Sequence, residues 1–277
     1  MPSGSFFNRK ENTMKLLFLG TGAAGSCNIA ECDLPADRRR CASLLVDGTA
    51  LVDVSRQSFD YLTKLGGDPS AVTDIFLSHS HGDHFCRDAF YQYVEAAKHK
   101  IRFWCHRGAL EHLKLTEAEL EKIDLHPVEA CDTWETAGMK VTALPANHVV
   151  GELTSPEKPL HYIFEKDGKR FYYGCDGGWY TAIEWEYMLR NKITFDAVLM
   201  DSTVGEDAGN FRIGTHNNYA MQKILILALR QNGMITDETL LVATHVAKSC
   251  HSNERPLEEV FGEMGMTLAF DGREIEL

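Results

Sequence analysis

The chain contains a short histidine-rich segment that determines how the rest is interpreted: Ser78-His79-Ser80-His81-Gly82-Asp83-His84. The segment follows the apolar run Ile75-Phe76-Leu77 and precedes a helical pattern beginning near Cys86, which indicates a strand-to-helix loop. Three imidazoles and a carboxylate this close together are costly to bury unpaired, whereas a divalent cation gives each of them a partner. The alternative is a polar loop with surface histidines, which this spacing disfavours. The segment therefore predicts a metal site.

The spacing within this segment also predicts the number of metal ions. His79 and His81 can project together toward one ion, while the turn at Gly82 allows Asp83 and His84 to reach a second. We therefore expect two adjacent cation sites. Asp83 is expected to act in catalysis as well as in metal binding.

Further polar residues end or directly follow other apolar runs: His148, Asp176 and His245. Each alone is more often a capping or surface residue. A catalytic edge collects residues from the ends of several strands, so their common placement predicts that they join the same site. Asp53, after Ala50-Leu51-Val52, is interpreted as a carboxylate that orients a ligand histidine or the loop, with a turn-forming Asp as the alternative.

Apolar periodicity along the chain predicts many strands separated by helices. Runs of β type occupy residues 15–19, 43–46, 50–54, 74–78, 140–144, 162–165, 170–173, 197–200 and 240–244. Helical patterns occupy residues 56–65, 87–98, 116–123, 182–190 and 218–231. Two sheets covered outside by helices explain this pattern. We predict one domain over residues 14–277, preceded by an N-terminal extension over residues 1–13.

The segment from His79 to His84 resembles the HxHxDH signature of the metallo-β-lactamase superfamily, and the other strand-end residues match its remaining motifs in order. The resemblance covers nearly the whole chain and implies a four-layer αββα sandwich with the metals at the edge between the sheets. It also implies that one metal is held by His79, His81 and His148, the other by Asp83, His84 and His245, and that Asp176 bridges them.

Within that superfamily the chain is most similar to the branch of the phosphonate-pathway cyclic phosphodiesterases and RNase Z. The similarity lies in Leu19-Gly20-Thr21-Gly22, in Met200-Asp201-Ser202-Thr203 followed by Thr215-His216-Asn217, and in Phe270-Asp271-Gly272-Arg273-Glu274-Ile275. It implies that His216 protonates the leaving oxygen, with Glu206 or Asp207 as its acidic partner. Asp201 and Glu206 are expected to support the ligands from outside. The alternative for His216 is a helix-start residue without chemistry.

The cysteines are scattered in a chain long enough to bury its own core, so we expect reduced thiols in a cytoplasmic protein. The related phosphonate-pathway enzyme has a tight cysteine cluster that holds a structural zinc, but here Cys27, Cys32 and Cys41 are widely spaced. Cys250 and His251 could complete such a site with Cys27 and Cys32. No C-x-x-C pair is present, and buried free thiols are the preferred interpretation.

Composition restricts the partners of the protein. With 28 basic and 40 acidic residues the net charge is −12, which disfavours a protein that grips nucleic acid. The basic run Arg38-Arg39-Arg40 is expected in a solvated loop; the alternative is an anion contact near the site, shared with Lys248. No apolar stretch approaches the roughly 20 residues that span a bilayer. We expect a small phosphodiester as partner and leave a homodimer open.

These observations favour a phosphodiesterase acting on a small phosphodiester, cyclic rather than linear by preference. A water bridging two cations becomes hydroxide at neutral pH and attacks phosphorus. Histidine and carboxylate ligands suit zinc or manganese, and also iron. The rivals are an RNase Z-type nuclease, disfavoured by the acidic charge, a thioester or lactone hydrolase on the same scaffold, and a binding protein without activity, disfavoured by the complete ligand set.

Overall fold

The computed structural model describes residues 13–24, 27, 39–152, 154–252 and 254–277. Its strands are β1 (Lys15–Gly20), β2 (Ser43–Val46), β3 (Ala50–Val52), β4 (Asp74–Phe76), β5 (Ile101–His106), β6 (Ile123–Val128), β7 (Thr133–Thr136), β8 (Met139–Pro145), β9 (Leu160–Lys166), β10 (Lys169–Gly174), β11 (Ala197–Asp201), β12 (Leu240–Thr244), β13 (Thr267–Leu268) and β14 (Glu274–Glu276). The α-helices are α1 (Ser58–Lys64), α2 (Arg87–Ala96), α3 (Leu110–Leu113), α4 (Glu117–Leu120), α5 (Ala182–Arg190), α6 (Tyr219–Gln231) and α7 (Leu257–Glu263).

These strands form two sheets. The first has the order β14-β1-β2-β3-β4-β5-β6 and the second the order β13-β12-β11-β10-β9-β8-β7. Strands β3 to β6 are parallel, as are β10 to β13. The expected αββα sandwich is confirmed, and the carboxyl ends of β3, β4, β10, β11 and β12 meet at one edge. Parallel sheets commonly bind ligands there. None of the described helices is long and apolar enough to cross a membrane.

Strand β4 shows how the layers pack. Its side chains alternate, so that Ile75 joins the apolar cluster under α1 and α2 while Phe76 points between the two sheets. The ring of Phe76 meets that of Phe164 from β9 edge to face, with centroids 5.2 Å apart. A third cluster packs α5 and α6 onto the second sheet. These contacts fix one sheet against the other and so fix the edge between them.

The predicted helix over residues 116–123 is wrong beyond its first turn. Helix α4 ends at Leu120, and Ile123 instead begins β6, where it pairs with Ile101 of β5. Thr116 and Glu119 form a capping box, which gives the segment its helical start. Ile123 is buried, so its burial in the sheet outweighs the continuing helical pattern.

The expectation of free thiols is wrong for Cys27 and Cys41, which form a disulfide with their Cα atoms 4.8 Å apart. The reason is local, because Gly22 pairs with Cys41 and brings the loop after β1 beside the start of β2. Cys32 lies outside the described residues. His251 Nε2 donates to the Ser202 carbonyl at 2.9 Å, and His251 Nδ1 lies 2.7 Å from the Tyr219 hydroxyl. The described residues therefore do not assemble the further metal site considered from the sequence.

The expectation of a solvated basic run is also wrong for the two described arginines of that run. Arg39 Nη1 donates to Thr21 Oγ1 at 2.7 Å, and Arg40 Nη1 lies 3.3 Å from Asp271 Oδ2. The Arg40 guanidinium also lies 3.6 Å from the Tyr61 ring centroid. Both arginines therefore join the beginning of the chain to its end, which leaves neither for an anion at the site. Arg38 lies outside the described residues.

Candidate metal centre

Residues that follow separate strands converge at the shared edge of the sandwich. The segment His79 to His84 follows β4, His148 follows β8, Asp176 follows β10 and His245 follows β12. Asp176 and His245 have φ values of 60° and 55°, in the left-handed region that residues with side chains seldom adopt. Such strained backbone is concentrated at functional sites. Here it turns each side chain from its strand toward the edge.

A first group of candidate ligands faces one point. His81 Nδ1 lies 2.9 Å from His79 Nε2 and 3.2 Å from His148 Nε2. Asp176 Oδ2 lies 3.2 Å from His79 Nε2, and one ligand atom of each residue lies within 4.8 Å of the others. On the outer side, Ser78 Oγ lies 3.1 Å from His79 Nδ1, which directs the opposite nitrogen inward.

A second group lies beside the first. His84 Nε2 is 3.2 Å from His245 Nε2, and Asp83 Oδ2 is 3.7 Å from His84 Nε2. Asp176 Oδ2 lies 3.3 Å from His84 Nε2, so this carboxylate belongs to both groups. The structure thus brings together the residues expected at each metal, with Asp176 in the shared position.

Carboxylates hold the outer nitrogen of both histidines in the second group. Asp53 Oδ2 lies 2.7 Å from His84 Nδ1, and Asp201 Oδ2 lies 3.0 Å from His245 Nδ1. A carboxylate in this position fixes the ring tautomer and directs the other nitrogen toward the metal. Thr203 Oγ1 also contacts His245 Nδ1 at 2.7 Å.

His216 lies beside the shared carboxylate. Its Nδ1 is 2.9 Å from Asp176 Oδ1 and 3.2 Å from Asp201 Oδ2. The acidic partner expected for His216 was Glu206 or Asp207, and this expectation is wrong, because both accept backbone N–H groups elsewhere in the loops. Asp201 takes that position instead, since the end of β11 aims its side chain at the edge.

The histidines of the first group favour the neutral form that binds metal. Burial, with smaller contributions from His216 and His81, lowers the pKa of His148 to about 4 despite the attraction of Asp176. Burial also holds the pKa of His79 well below its ordinary value. At neutral pH both rings therefore offer a lone pair, as a metal ligand must.

Carboxylates reverse this trend on the other side of the centre. Burial opposes the charged form of His216, but Asp201 and Asp176 outweigh it and raise the pKa to about 10. His245 is similar: burial lowers its pKa, whereas Asp176, Asp201 and Asp83 raise it to about 9. The buried carboxylates thus attract positive charge, and a cation that binds His245 displaces its proton.

The donor set fits divalent cations. Asp83 Oδ2 is buried and accepts no hydrogen bond in the described part of the chain. Buried polar atoms normally have a partner, and a cation held between the imidazole and carboxylate groups would supply one. Nitrogen and oxygen donors without thiolate suit zinc, manganese and iron.

Sequence reasoning missed Glu157, which supports the histidine loop. Its buried carboxylate accepts the backbone N–H of Ser80 at 2.7 Å and also the Ser80 hydroxyl. Ser80 stands between the ligands His79 and His81, so Glu157 restrains both. Glu157 lies in an irregular polar segment, which gave no periodic signal for this contact.

The sandwich fold and the histidine-carboxylate centre together define a metal-dependent hydrolase. The sequence model of a family described as the beta-lactamase superfamily domain matches residues 42–242. The chain therefore belongs to the β-lactamase superfamily. None of the curated proteins matches its sequence significantly.

Solved structures similar to this chain share its whole fold. The metallo-β-lactamase fold protein YhfI from Bacillus subtilis is 15% identical with a TM-score of 0.70, covering 96% of this chain and 100% of that one. A diphosphatase from the PhnP family is 18% identical with a TM-score of 0.68, covering 96% and 97%. The short form of human tRNase Z is 17% identical with a TM-score of 0.63, covering 94% and 98%. At these identities the similarity shows the fold.

Proposed function

We propose that this hydrolase cleaves a small, cyclic phosphodiester with the help of two divalent cations, zinc or manganese. The observation that carries the proposal is the position of His216, whose Nδ1 lies 2.9 Å from the shared carboxylate of Asp176. A proton donor this close to both ligand groups suits a reaction that expels an alkoxide. Two similar structures are named as a diphosphatase and a tRNase Z, which agrees with phosphoryl chemistry on this fold.

The ligand residues would position the cations and the substrate phosphate. His79, His81 and His148 would hold one cation and Asp83, His84 and His245 the other, with Asp176 between them. Bound there, divalent cations supply Lewis acidity toward phosphoryl oxygens and lower the pKa of a water to near neutrality. Asp53 and Asp201 keep the second pair of imidazoles aimed inward.

His216 would act as the general acid. Asp201 and Asp176 both contact its Nδ1, and these carboxylates raise the pKa of the ring and favour its protonated form. Nε2 is then the nitrogen left for the departing oxygen. General acids matter most when the leaving group is a poor one, such as the ribose alkoxide of a nucleoside cyclic phosphate. A lactone hydrolase on this scaffold would depend less on His216.

The test compares leaving groups in the metal-loaded protein. Bis(p-nitrophenyl) phosphate, a 2′,3′-cyclic nucleotide and an acyl-lactone are offered to the wild type, His216→Ala and Asp176→Ala, and bound metal is measured in each. We expect Asp176→Ala to lose both phosphodiester activities. His216→Ala should lose about 10²- to 10⁴-fold in kcat on the cyclic nucleotide and much less on the activated ester.

Either of two results would contradict the proposal. Turnover of the lactone alone, indifferent to His216→Ala, would identify an acyl hydrolase. Equal losses on both phosphodiesters with metal retained would remove the acid role from His216. His99→Ala is the matched control, because that histidine contacts the Val72 carbonyl at 3.1 Å and none of the candidate ligands.

A further inference from the structure

Three large exposed apolar side chains belong to segments that adjoin the metal centre: Val149, Trp179 and Phe211, with exposed fractions of 45%, 39% and 84%. Single exposed apolar residues are normal, but several around one cleft commonly mark a binding surface. Each of the three lies within five residues of a residue at the centre, namely His148, Asp176 or His216.

The segments that carry Val149 and Trp179 are joined through their backbones. The Gly178 N–H donates to the Asn147 carbonyl at 3.1 Å. Gly178 directly precedes Trp179, and Asn147 stands two residues before Val149. The two apolar residues therefore border the centre on the side of His148.

The segment that carries Phe211 lies on the same side of the centre, next to His148 and His216. The carbonyl of Arg212 accepts the N–H of His216 at 2.8 Å, and the carbonyl of Thr215 lies 3.3 Å from His148 Nδ1. A Cβ at Gly178 would lie only 3.3 Å from the His216 nitrogen, so the glycine allows the Trp179 segment to pack against this one. All three segments thus meet around His148 and His216.

This side of the centre is in contact with solvent at His216. The side chain of His216 is 15% exposed, whereas His79 and His245 are buried at the back. A substrate whose phosphate reaches the candidate ligands beside His216 would lie next to the segments that carry Trp179 and Phe211. The ligand groups take the phosphate, so these apolar side chains are left for the uncharged part of the substrate.

We propose that Val149, Trp179 and Phe211 form a subsite that binds a flat aromatic group of the substrate, such as a nucleobase. The inference rests on the proposed phosphodiesterase function and names its substrate class. Aromatic side chains stack on any base through its π face. The Arg212 guanidinium lies 5.0 Å from the Phe211 ring centroid, which places a positive charge beside the same surface for an anionic substrate.

The subsite can be tested by measuring ligand binding, without measuring turnover. The metal-loaded protein is titrated with a nucleoside 5′-monophosphate and with ribose 5-phosphate, and both dissociation constants are measured by calorimetry. We expect the wild type to prefer the nucleotide, and Trp179→Ala or Phe211→Ala to weaken its binding about 10-fold. Binding of ribose 5-phosphate should hardly change. Leu227→Ala is the matched control, since Leu227 is 54% exposed on α6, two turns from its N-terminus.

The outcomes separate this inference from the proposed function. If Trp179→Ala or Phe211→Ala loses the nucleobase preference and the wild type turns over phosphodiesters, the subsite and the proposed function are both supported. If the variants lose the preference but the wild type turns over no phosphodiester, the subsite is supported and the proposed function is contradicted. Equal affinity of the wild type for both ligands, or no measurable binding, would overturn the subsite. It would also be overturned if Phe211→Ala dissociated a dimer, because a second copy would then be what covers this surface.

Discussion

Asp53 Oδ2 lies 2.7 Å from Nδ1 of His84, and both side chains are fully buried. The same carboxylate accepts the backbone N–H of Ser78 at 2.8 Å and the hydroxyl of Tyr173 at 3.0 Å. Tyr173 belongs to β10 of the second sheet, whereas Asp53 follows β3 of the first. One carboxylate therefore joins the two sheets and aims His84 at the centre, with its own backbone held at a φ of 61°.

Replacing Asp53 by Asn should affect the affinity for metal more than the free energy of unfolding. The amide keeps the size of the side chain but loses the charge that orients His84, and such outer partners are typically worth 10- to 100-fold in metal affinity. We expect a loss in that range for one of two zinc ions, measured by calorimetry. Asp124→Asn, at a half-exposed surface position, is the control. Unchanged affinity for both ions would show that His84 is oriented without Asp53.

Glu157 should matter for the same centre from the other side of the histidine loop. Burial raises the pKa of Glu157, while hydrogen bonds from Ser80 act in the opposite direction. Glu157→Gln loses one charge-assisted acceptor, so we expect destabilisation of about 1–3 kcal/mol in urea unfolding. It should also weaken binding of the cation held by His79 and His81. Glu129→Gln serves as control, because Glu129 is half-exposed; equal effects of the two variants would deny Glu157 this role.

The sequence predicted most of the centre because its residues follow strands whose apolar pattern is strong. Strands β5, β6, β7, β13 and β14 were not predicted. In β6 the run is interrupted by Pro127, and β7 is half-exposed, so neither shows a clear apolar pattern. These strands gain stability from pairing with neighbours, which a local pattern does not record.

Contacts between distant parts of the chain account for the remaining errors. Arg40 is charged and looks like a surface residue, yet it is buried against Asp271, 231 positions away. The position of Glu157 against Ser80, 77 positions away, likewise depends on how the sheets meet. The position of Asp201 beside His216, where Glu206 was expected, has the same cause: Asp201 ends β11, Glu206 lies in the loop after it, and only the folded structure decides which one faces the ring.

Asp74 ties the two sheets together through buried hydrogen bonds, and this contact should make stability pH-dependent. Its carboxylate accepts from Arg102 Nε at 2.8 Å, from Trp104 Nε1 at 3.0 Å and from the hydroxyl of Thr136 in the second sheet. Burial opposes the charged form, but these donors, Arg102 first, lower the pKa of Asp74 below its ordinary 3.8. The charged form is thus favoured in the folded state.

Because the folded pKa lies below the unfolded one, the stability from Asp74 is fully present above pH 3.8 and is lost as pH falls through the folded pKa. Asp74→Asn should cost about 2 kcal/mol at pH 7, from lost bonds to charged partners. The thermal midpoints of wild type and variant should converge as pH falls below 3.8. A difference that stays constant across this range would exclude the carboxylate charge as the cause.

Metal binding should stabilise the whole fold through Asp176. Without cations, the buried Asp176 carboxylate lies among Asp83, Asp201 and several imidazoles. A ligand that binds only the folded state stabilises it by about 2.7 kcal/mol at 100 times its dissociation constant. We expect zinc or manganese to raise the melting temperature of the wild type by about 5–10 °C, and a chelator to reverse the change.

Asp176→Asn should lose most of this shift, since the shared carboxylate serves both ligand groups. Asp237→Asn, with a side chain that is 88% exposed, should keep it. A full shift in Asp176→Asn would mean that the stabilising cation binds away from the shared carboxylate.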